Sequence, residues 1–171
     1  RGLSDLASVQ SKTGTALYDA CYLGVERLQK RTNTRRIMIL VTDGEDTLSQ
    51  TIYKQMREQL KHSDVMVYSV LIQPSYSPTA YVGSDVLKEL TSVSGGGRFS
   101  PSSPDNVDAA FKSIATELNN QYLIGYFPPN FDRKWHSVRV KVKPAEKRFE
   151  ARTRQGYYAM KQSVAPTVPK D

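Results

Sequence analysis

Apolar residues recur along the first two thirds of the chain in two alternating patterns. One is a helical repeat, seen at Leu17, Cys21 and Val25, which places a single apolar stripe on a helix. The other is an unbroken apolar run of strand length, which is typical of strands buried on both faces of a parallel sheet. The predicted elements, in chain order, are helix 16–28, strand 37–41, helix 50–62, strand 65–72, a surface loop at 73–83, helix 85–93, strand 98–100 and a helix that opens at Pro104 and runs to Leu118.

This alternation of helices and strands predicts the fold class. Strand, helix, strand, helix, strand, helix is the order of an α/β protein, because right-handed crossovers place the helices over the faces of a mostly parallel sheet. The sequence therefore predicts a doubly wound, Rossmann-like sheet with helices on both faces.

After Asn120 the spacing of apolar residues changes from helical to twofold. Alternation of this kind predicts strands, and the prolines between them predict turns. We expect a C-terminal β-meander whose strands cover 122–127, 135–142 and 148–152. The resulting division of the chain is an α/β domain at 1–120, a β-strand extension packed on or beside it at 121–159, and a flexible tail at 160–171.

Composition narrows the class of protein. The chain is 39% hydrophobic and 24% charged, as globular domains are, and no apolar run approaches the roughly 20 residues of a membrane-spanning helix. One cysteine and two histidines cannot supply the four ligands of a structural zinc site. Cys21 falls on the apolar stripe of a predicted helix, which indicates a buried, inert thiol.

The net charge of +7 raises the question of nucleic-acid binding. Basic residues are concentrated in 133–154, where they alternate with apolar ones, as on a strand with one solvated face. A solvated face is the favoured interpretation. Binding of a nucleic acid or another polyanion through this region stays a minor alternative, and we expect no nucleic-acid partner.

The candidate chemistry lies at the end of strand 37–41. Asp43 follows that strand directly and precedes Gly44, and ligands bind at this edge of open α/β sheets. Carboxylates and hydroxyls are ligands that Mg²⁺ and Mn²⁺ prefer. A strand-end aspartate is equally compatible with a turn or a helix cap.

Two segments together resemble a known metal site. Residues 14–19, Gly-Thr-Ala-Leu-Tyr-Asp, and residues 41–46, Val-Thr-Asp-Gly-Glu-Asp, are similar to the second and third parts of the metal-ion-dependent adhesion site (MIDAS) of von Willebrand factor A (VWA) domains. The resemblance implies that Thr15 supplies a hydroxyl ligand and Asp43 a carboxylate to Mg²⁺ or Mn²⁺. Thr13 is a weaker candidate for the hydroxyl.

More narrowly, the order of motifs resembles VWA-related proteins of acidobacteria. The resemblance covers Gly14 to Ala159 and includes the segment 121–126 and the ending Gly-Tyr-Tyr-Ala at 156–159. It implies a VWA/Rossmann-like fold and an exported protein, in the periplasm, at the cell surface or secreted.

Residues beside the two candidate ligands have competing interpretations. Asp46 and Ser49 precede the helix at Gln50, where either could cap it; the alternative is hydrogen bonding around a metal shell. Asp19 could orient that shell or act as an ordinary carboxylate in a helix's first turn. Gly44 and Glu45 belong to the rim, where Glu45 would face solvent.

The chain departs from the family pattern in one respect, because no Asp-x-Ser-x-Ser occurs in its 171 residues. The resemblance therefore implies an incomplete domain, the C-terminal part of a VWA fold, with the strand that carries this motif elsewhere. Strand 37–41 should pair with that strand, and its bare edge would be an aggregation hazard. We expect the missing N-terminal half, or a swapped copy of another chain, to cover it.

The leading hypothesis for function is a non-enzymatic binding module of the adhesion type. The resemblance implies that a carboxylate of a protein ligand completes the coordination of the divalent metal. The alternative is a structural or assembly domain of an envelope protein that has no working metal site. His62 and His136 are far apart in sequence without catalytic companions, and we expect both at the surface.

Overall fold

A computed structural model describes residues 14–72, 80–101, 106–143 and 151–160, with only the backbone at 80–82. The elements are α1 (Leu17–Gln29), β1 (Ile37–Thr42), α2 (Tyr53–Lys61), β2 (Met66–Leu71), α3 (Ala80–Ser94), β3 (Arg98–Phe99), α4 (Val107–Asn119), β4 (Trp135–Ser137) and β5 (Gly156–Tyr158). None of the helices in these ranges is both long and apolar enough to cross a bilayer.

Strands β1, β2 and β3 form a parallel sheet with β2 between the other two. Ile37 lies opposite Met66 at the start of the β1–β2 pair, and Ser69 lies opposite Arg98 in the β2–β3 pair. Each pair of neighbouring strands is joined through a helix, so the predicted α/β class with a parallel sheet is confirmed.

Helices cover both faces of this sheet because β2 turns apolar side chains to each. Val67 and Leu71 of β2 lie in a buried cluster with α1, α2 and α3. Tyr68 and Val70 point to the opposite face, where they pack against Ala110 and Ile114 of α4. The continuous apolar run predicted from the sequence thus serves two cores, as expected of a central parallel strand.

Strand β1 was predicted to be buried on both faces, but one of its faces is exposed. Ile39 and Val41 are 41% and 50% exposed, while Met38 and Leu40 pack against the first core. Within the described sheet, β1 is an outer strand, and α4 packs over β2 rather than over the full length of β1. One side of β1 therefore carries apolar residues that the described part of the chain does not cover.

The C-terminal strands also differ from the predicted meander. Strand β4 ends at Ser137, and its antiparallel partner is β5 at Gly156–Tyr158, later than the strand predicted at 148–152. Of that predicted strand, residues 148–150 lie outside the described residues, as does the tail from 161 on. Alternation in a sequence indicates which side chains share a face, but it does not specify which backbone becomes the partner.

Residues 122–127, a predicted strand, form no strand. Tyr122 and Leu123 are each 93% exposed, and the described parts of the chain offer the backbone of this segment no hydrogen-bonding partner. The helix boundaries differ less. Helix α3 begins at Ala80 rather than Asp85, and the predicted opening of the next helix at Pro104 lies outside the described residues.

Residues 151–159 form a C-terminal strap across the ends of α2 and α3. The Arg154 guanidinium donates to the carbonyls of Lys61 and Ser63, at 3.2 and 3.0 Å, and Gln155 N–H donates to the Val93 carbonyl at 3.3 Å. These acceptors lie in the last turn of a helix or just after it, where carbonyls lack partners within the helix. The strap therefore stabilises the edge of the sheet at which β2 and β3 begin.

Candidate functional site at the end of strand β1

The candidate site is formed where the β1 loop, residues 43–51, lies against the start of α1. Thr15 N–H donates to the Thr47 hydroxyl oxygen at 2.8 Å, and the Thr15 carbonyl accepts from the N–H groups of Thr47 and Leu48 at 2.8 and 3.0 Å. These bonds fix the backbone of Thr15 to the loop that carries Asp43. The two sequence segments that resemble a metal site are thereby brought together.

The first turn of α1 receives its caps from the same loop. Ala16 occupies the N-cap position and has no side-chain acceptor, so the helix needs another group to accept from its first N–H groups. Asp46 Oδ1 accepts from Tyr18 N–H at 3.0 Å, and Ser49 Oγ accepts from Asp19 N–H at 3.1 Å. The sequence indicated Asp46 and Ser49 as caps of the following helix, but they cap α1, about 30 residues earlier.

Asp19, in the first turn of α1, in turn accepts hydrogen bonds from the β1 loop. Its carboxylate accepts from Gln50 N–H at 3.0 Å and from Thr51 N–H at 2.8 Å. The Thr51 side chain is the main cause that lowers the pKa of the Asp19 carboxyl below its usual value, followed by the two backbone donors. Asp19 therefore orders the β1 loop, while the loop caps the helix that carries Asp19.

Asp43 closes a tight turn directly after β1. Its Oδ1 accepts from Glu45 N–H at 3.1 Å, and the Thr42 hydroxyl accepts from Gly44 N–H at 3.0 Å. These side-chain to backbone bonds are those of an Asx-type turn, and they set the direction in which the Asp43 side chain leaves the strand. Asp43 and Glu45 are both half-buried.

Gly44 is required at this turn for two reasons. Its φ of +84° lies in the left-handed region that side-chain-bearing residues rarely adopt. A Cβ at this position would lie 2.7 Å from the carbonyl carbon of Gly83, in the first turn of α3. The turn after β1 and the start of α3 are therefore in backbone contact. No sequence pattern points to Gly83, which lies in a segment predicted to be a loop.

The oxygen donors at this edge are of the type that a hard cation prefers, but they are too few to fill its coordination shell. The Thr15 hydroxyl and the Asp43 carboxylate are oxygen ligands of the type that Mg²⁺ prefers, and that ion takes near-octahedral coordination. Among residues 14–72, 80–101, 106–143 and 151–160, no group of three or more His, Cys, Asp or Glu is placed to hold a metal ion. Asp19 and Asp46 direct carboxylate oxygens to backbone N–H groups instead.

The remaining singled-out residues lie away from this edge. Cys21 is a free, buried thiol, and burial raises its pKa to about 12, with a smaller effect from the charge of Asp46. His62 is exposed and stacks on the ring of Tyr158, with the ring centres 3.9 Å apart. His136 is half-buried, and its ring bonds to Asp132 at 2.9 Å.

Comparison with known proteins gives one family match and two similar structures. The sequence profile of the von Willebrand factor type A domain matches residues 2–117. An aerotolerance-related membrane protein from Bacteroides fragilis, solved with multiple mutations to serines, is similar with a TM-score of 0.47 and 19% identity over 69% of this chain and 67% of that one. The conserved hypothetical protein BatB from Bacteroides thetaiotaomicron has a TM-score of 0.48 and 15% identity over 68% and 67%. No curated protein matches this chain.

Proposed function

Because this chain belongs to the von Willebrand factor type A family, whose domains commonly bind proteins, we propose that it is a non-enzymatic protein-binding module that depends on a divalent cation. Its binding edge is the one formed by the β1 loop and the start of α1. The partner is a protein that presents a carboxylate. By the family resemblance, the module works outside the cytoplasm, as an exported protein.

Thr15 and Asp43 are the residues that would hold Mg²⁺ or Mn²⁺ in this proposal. The ion would supply an open coordination position for the carboxylate of the partner. Water molecules or further oxygen ligands would complete the shell, because two donors are too few for an octahedral ion.

The observation that carries the proposal is the reciprocal hydrogen bonding between residues 15–19 and residues 46–51. It joins the two segments that resemble the family's metal motif at the carboxyl end of a parallel strand, the edge where such sheets bind ligands. Preorganised oxygen ligands cost less conformational entropy when the ion binds. The bonds thus support a site on a fixed frame.

Neighbouring carboxylates have a positioning role in this proposal. Asp46 fixes the start of α1, and Asp19 fixes the β1 loop, so the two hold Thr15 and Asp43 in place without contacting the ion. Gly44 allows the turn that directs Asp43, and Glu45 lies on the rim that a partner would approach.

Thermal unfolding with added metal tests this function. A ligand that binds only the folded state raises the melting temperature, by an amount that corresponds to about 2.7 kcal/mol at a concentration one hundred times Kd. Mg²⁺ or Mn²⁺ should raise the melting temperature of the wild type, and Asp43→Ala should remove this effect. Asp85→Ala, at an exposed position on α3, is the matched control and should retain it. No shift at millimolar metal would contradict the proposal.

A second candidate is a structural or assembly domain of an envelope protein that lacks a working metal site. Two observations favour it. The described residues contain no cluster of metal-ligating side chains, and Asp19 and Asp46 are engaged by backbone donors. This candidate predicts that neither metal changes the melting temperature, and that Asp43→Ala changes it equally with and without metal.

Under either function we propose that a further strand covers the outer edge of β1. The exposed side chains of Ile39 and Val41 support this proposal, as does the absence of proline or charge within Ile37–Thr42, since exposed edges are normally protected by such residues. The strand would come from an N-terminal half of the domain or from a swapped copy. Rapid hydrogen exchange at the outward amides of β1 in a stable monomer would contradict it.

A further inference from the structure

Residues 122–127, Tyr-Leu-Ile-Gly-Tyr-Phe, form an apolar segment that the described fold leaves uncovered. We call it the YLIGYF segment. Its five large side chains are between 56% and 93% exposed: Tyr122, Leu123, Ile124, Tyr126 and Phe127. A Cβ placed on Gly125 would meet nothing within 4 Å. Contiguous exposed apolar surface of this extent marks an interaction site in folded proteins.

The segment is held at both ends, although its centre is uncovered. The Gln121 side-chain amide contacts the hydroxyl of Tyr68 and the sulfur of Met66, each at 3.1 Å. At the other end, the Tyr126 ring packs edge-on against Tyr157 of β5, with the ring centres 5.5 Å apart. The position of the segment is thus fixed by both the α/β core and the C-terminal strands.

The backbone of the segment is available for pairing. Throughout the described ranges, its N–H and C=O groups have no backbone partner, and four of its six residues, Tyr122, Ile124, Tyr126 and Phe127, are of the aromatic or β-branched types that favour strands. An apolar extended segment with unpaired backbone groups is a template for adding a strand from another chain.

Charge supports pairing between identical copies. The protein has a net charge of +7, so most surfaces of two copies would repel each other. Residues 121–131 contain no charged side chain. Two copies can therefore meet at this segment without placing like charges opposite each other.

The exposed area is also sufficient for a stable pair. An aromatic side chain offers roughly 150–250 Å², so at these exposures the five side chains together present on the order of 600 Å² per copy. Complete burial of these side chains in two copies would remove at most on the order of 1,200 Å² from solvent, the lower end of the range for specific interfaces.

We propose that the YLIGYF segment is a self-association site, at which the same segment of a second copy pairs in antiparallel orientation. A twofold axis between Ile124 and Gly125 places Tyr122 opposite Phe127 and Leu123 opposite Tyr126 of the other copy. Each end then has a pair of aromatic rings, and the small Gly125 faces the branched Ile124. Such pairs are the unit by which neighbouring strands stabilise each other.

Sedimentation velocity over a dilution series tests the proposal. The wild type should show a species of twice the chain mass that dissociates on dilution. Leu123→Glu should remove this species, because it buries a carboxylate in the apolar seam. Leu23→Glu is the control at another exposed leucine, on α1, and should leave the dimer intact. A monomer at every concentration, or a dimer that Leu123→Glu leaves unchanged, overturns the proposal.

Three further measurements separate this dimer from other ways of covering the segment. Val41→Lys alters the exposed side of β1; loss of the dimer in this variant, with retention in Leu123→Glu, would place the interface on β1. Oxidation of a mixture of Leu123→Cys and Tyr126→Cys proteins should give the mixed disulfide, since opposed residues have Cα atoms within bonding range. Exchange protection of 122–127 in a monomer would instead show that the chain covers its own segment.

Discussion

Replacement of Gly44 by alanine should destabilise the protein by about 2–5 kcal/mol, which combines the cost of a left-handed backbone with that of a steric clash. The first cost, about 1–2 kcal/mol, follows from the φ of +84°. The second, about 1–3 kcal/mol, follows because the new Cβ would lie 2.7–2.9 Å from three backbone atoms of Gly83. A backbone cannot move aside as the end of a flexible side chain can.

Two other glycines separate these costs. Gly83→Ala introduces the same contact from the other side, with its Cβ 2.6 Å from the carbonyl of Gly44, but Gly83 has no positive φ. It should therefore be less destabilising than Gly44→Ala, also because alanine favours a helix over glycine by about 1 kcal/mol. Gly125→Ala meets no atom within 4 Å in its own chain and is the control, with a small effect expected when unfolding is measured at a concentration at which the protein is monomeric.

Urea unfolding followed by circular dichroism gives the three free energies, with an unchanged m value as the criterion that only stability has changed. The expected order of stability is Gly125→Ala, then Gly83→Ala, then Gly44→Ala. If Gly44→Ala unfolds at the same urea concentration as Gly125→Ala, this result would contradict the backbone contact described between the β1 turn and α3.

Three further predictions concern the frame of the candidate site. Asp46→Ala should lose about 1 kcal/mol, measured by thermal unfolding, because Tyr18 N–H loses its acceptor, whereas Asp46→Asn should lose less. Cys21, with its pKa raised to about 12, should react with a thiol reagent at about pH 8 only after unfolding in urea; immediate reaction of the folded protein would contradict its burial. The lowered pKa of Asp19 stabilises the fold above its unfolded value of about 3.9, and this contribution is lost as the pH falls through the folded value. Acidification should thus lower the unfolding midpoint less in Asp19→Asn than in the wild type.

The sequence was sufficient to predict the elements whose burial comes from within one short segment. Strand β2 was predicted at 65–72 and lies at Met66–Leu71, because its unbroken apolar run supplies both cores. Helix α1 was predicted from its apolar stripe at 16–28 and lies at Leu17–Gln29. Prediction was less accurate for burial that depends on a neighbouring element. Strand β1 has the same apolar character as β2, yet none of its residues is fully buried, and Ile39 and Val41 are exposed, because it is an outer strand of the described sheet.

The candidate site shows the same limit. Its position could be predicted, because a strand followed by Thr-Asp-Gly places Asp43 at the edge of the sheet. The roles of the residues around Asp43 could not be predicted. Asp46 and Ser49 precede α2 in sequence, so local spacing assigned them to that helix, whereas the structure uses them for α1. Thr47 was not singled out, since its role depends on contact with Thr15, 32 residues earlier.

The exchange of caps between α1 and the β1 loop has a consequence for the order of folding. The N–H groups at the start of α1 are satisfied by residues 28 and 30 positions later in the chain, on the far side of β1. Formation of the first turn of α1 must therefore wait for closure of a long chain segment, which carries an entropic cost. We expect the body of α1 to form early and its first turn to form together with β1 and its loop, so that the frame of the candidate site is completed in a single late step.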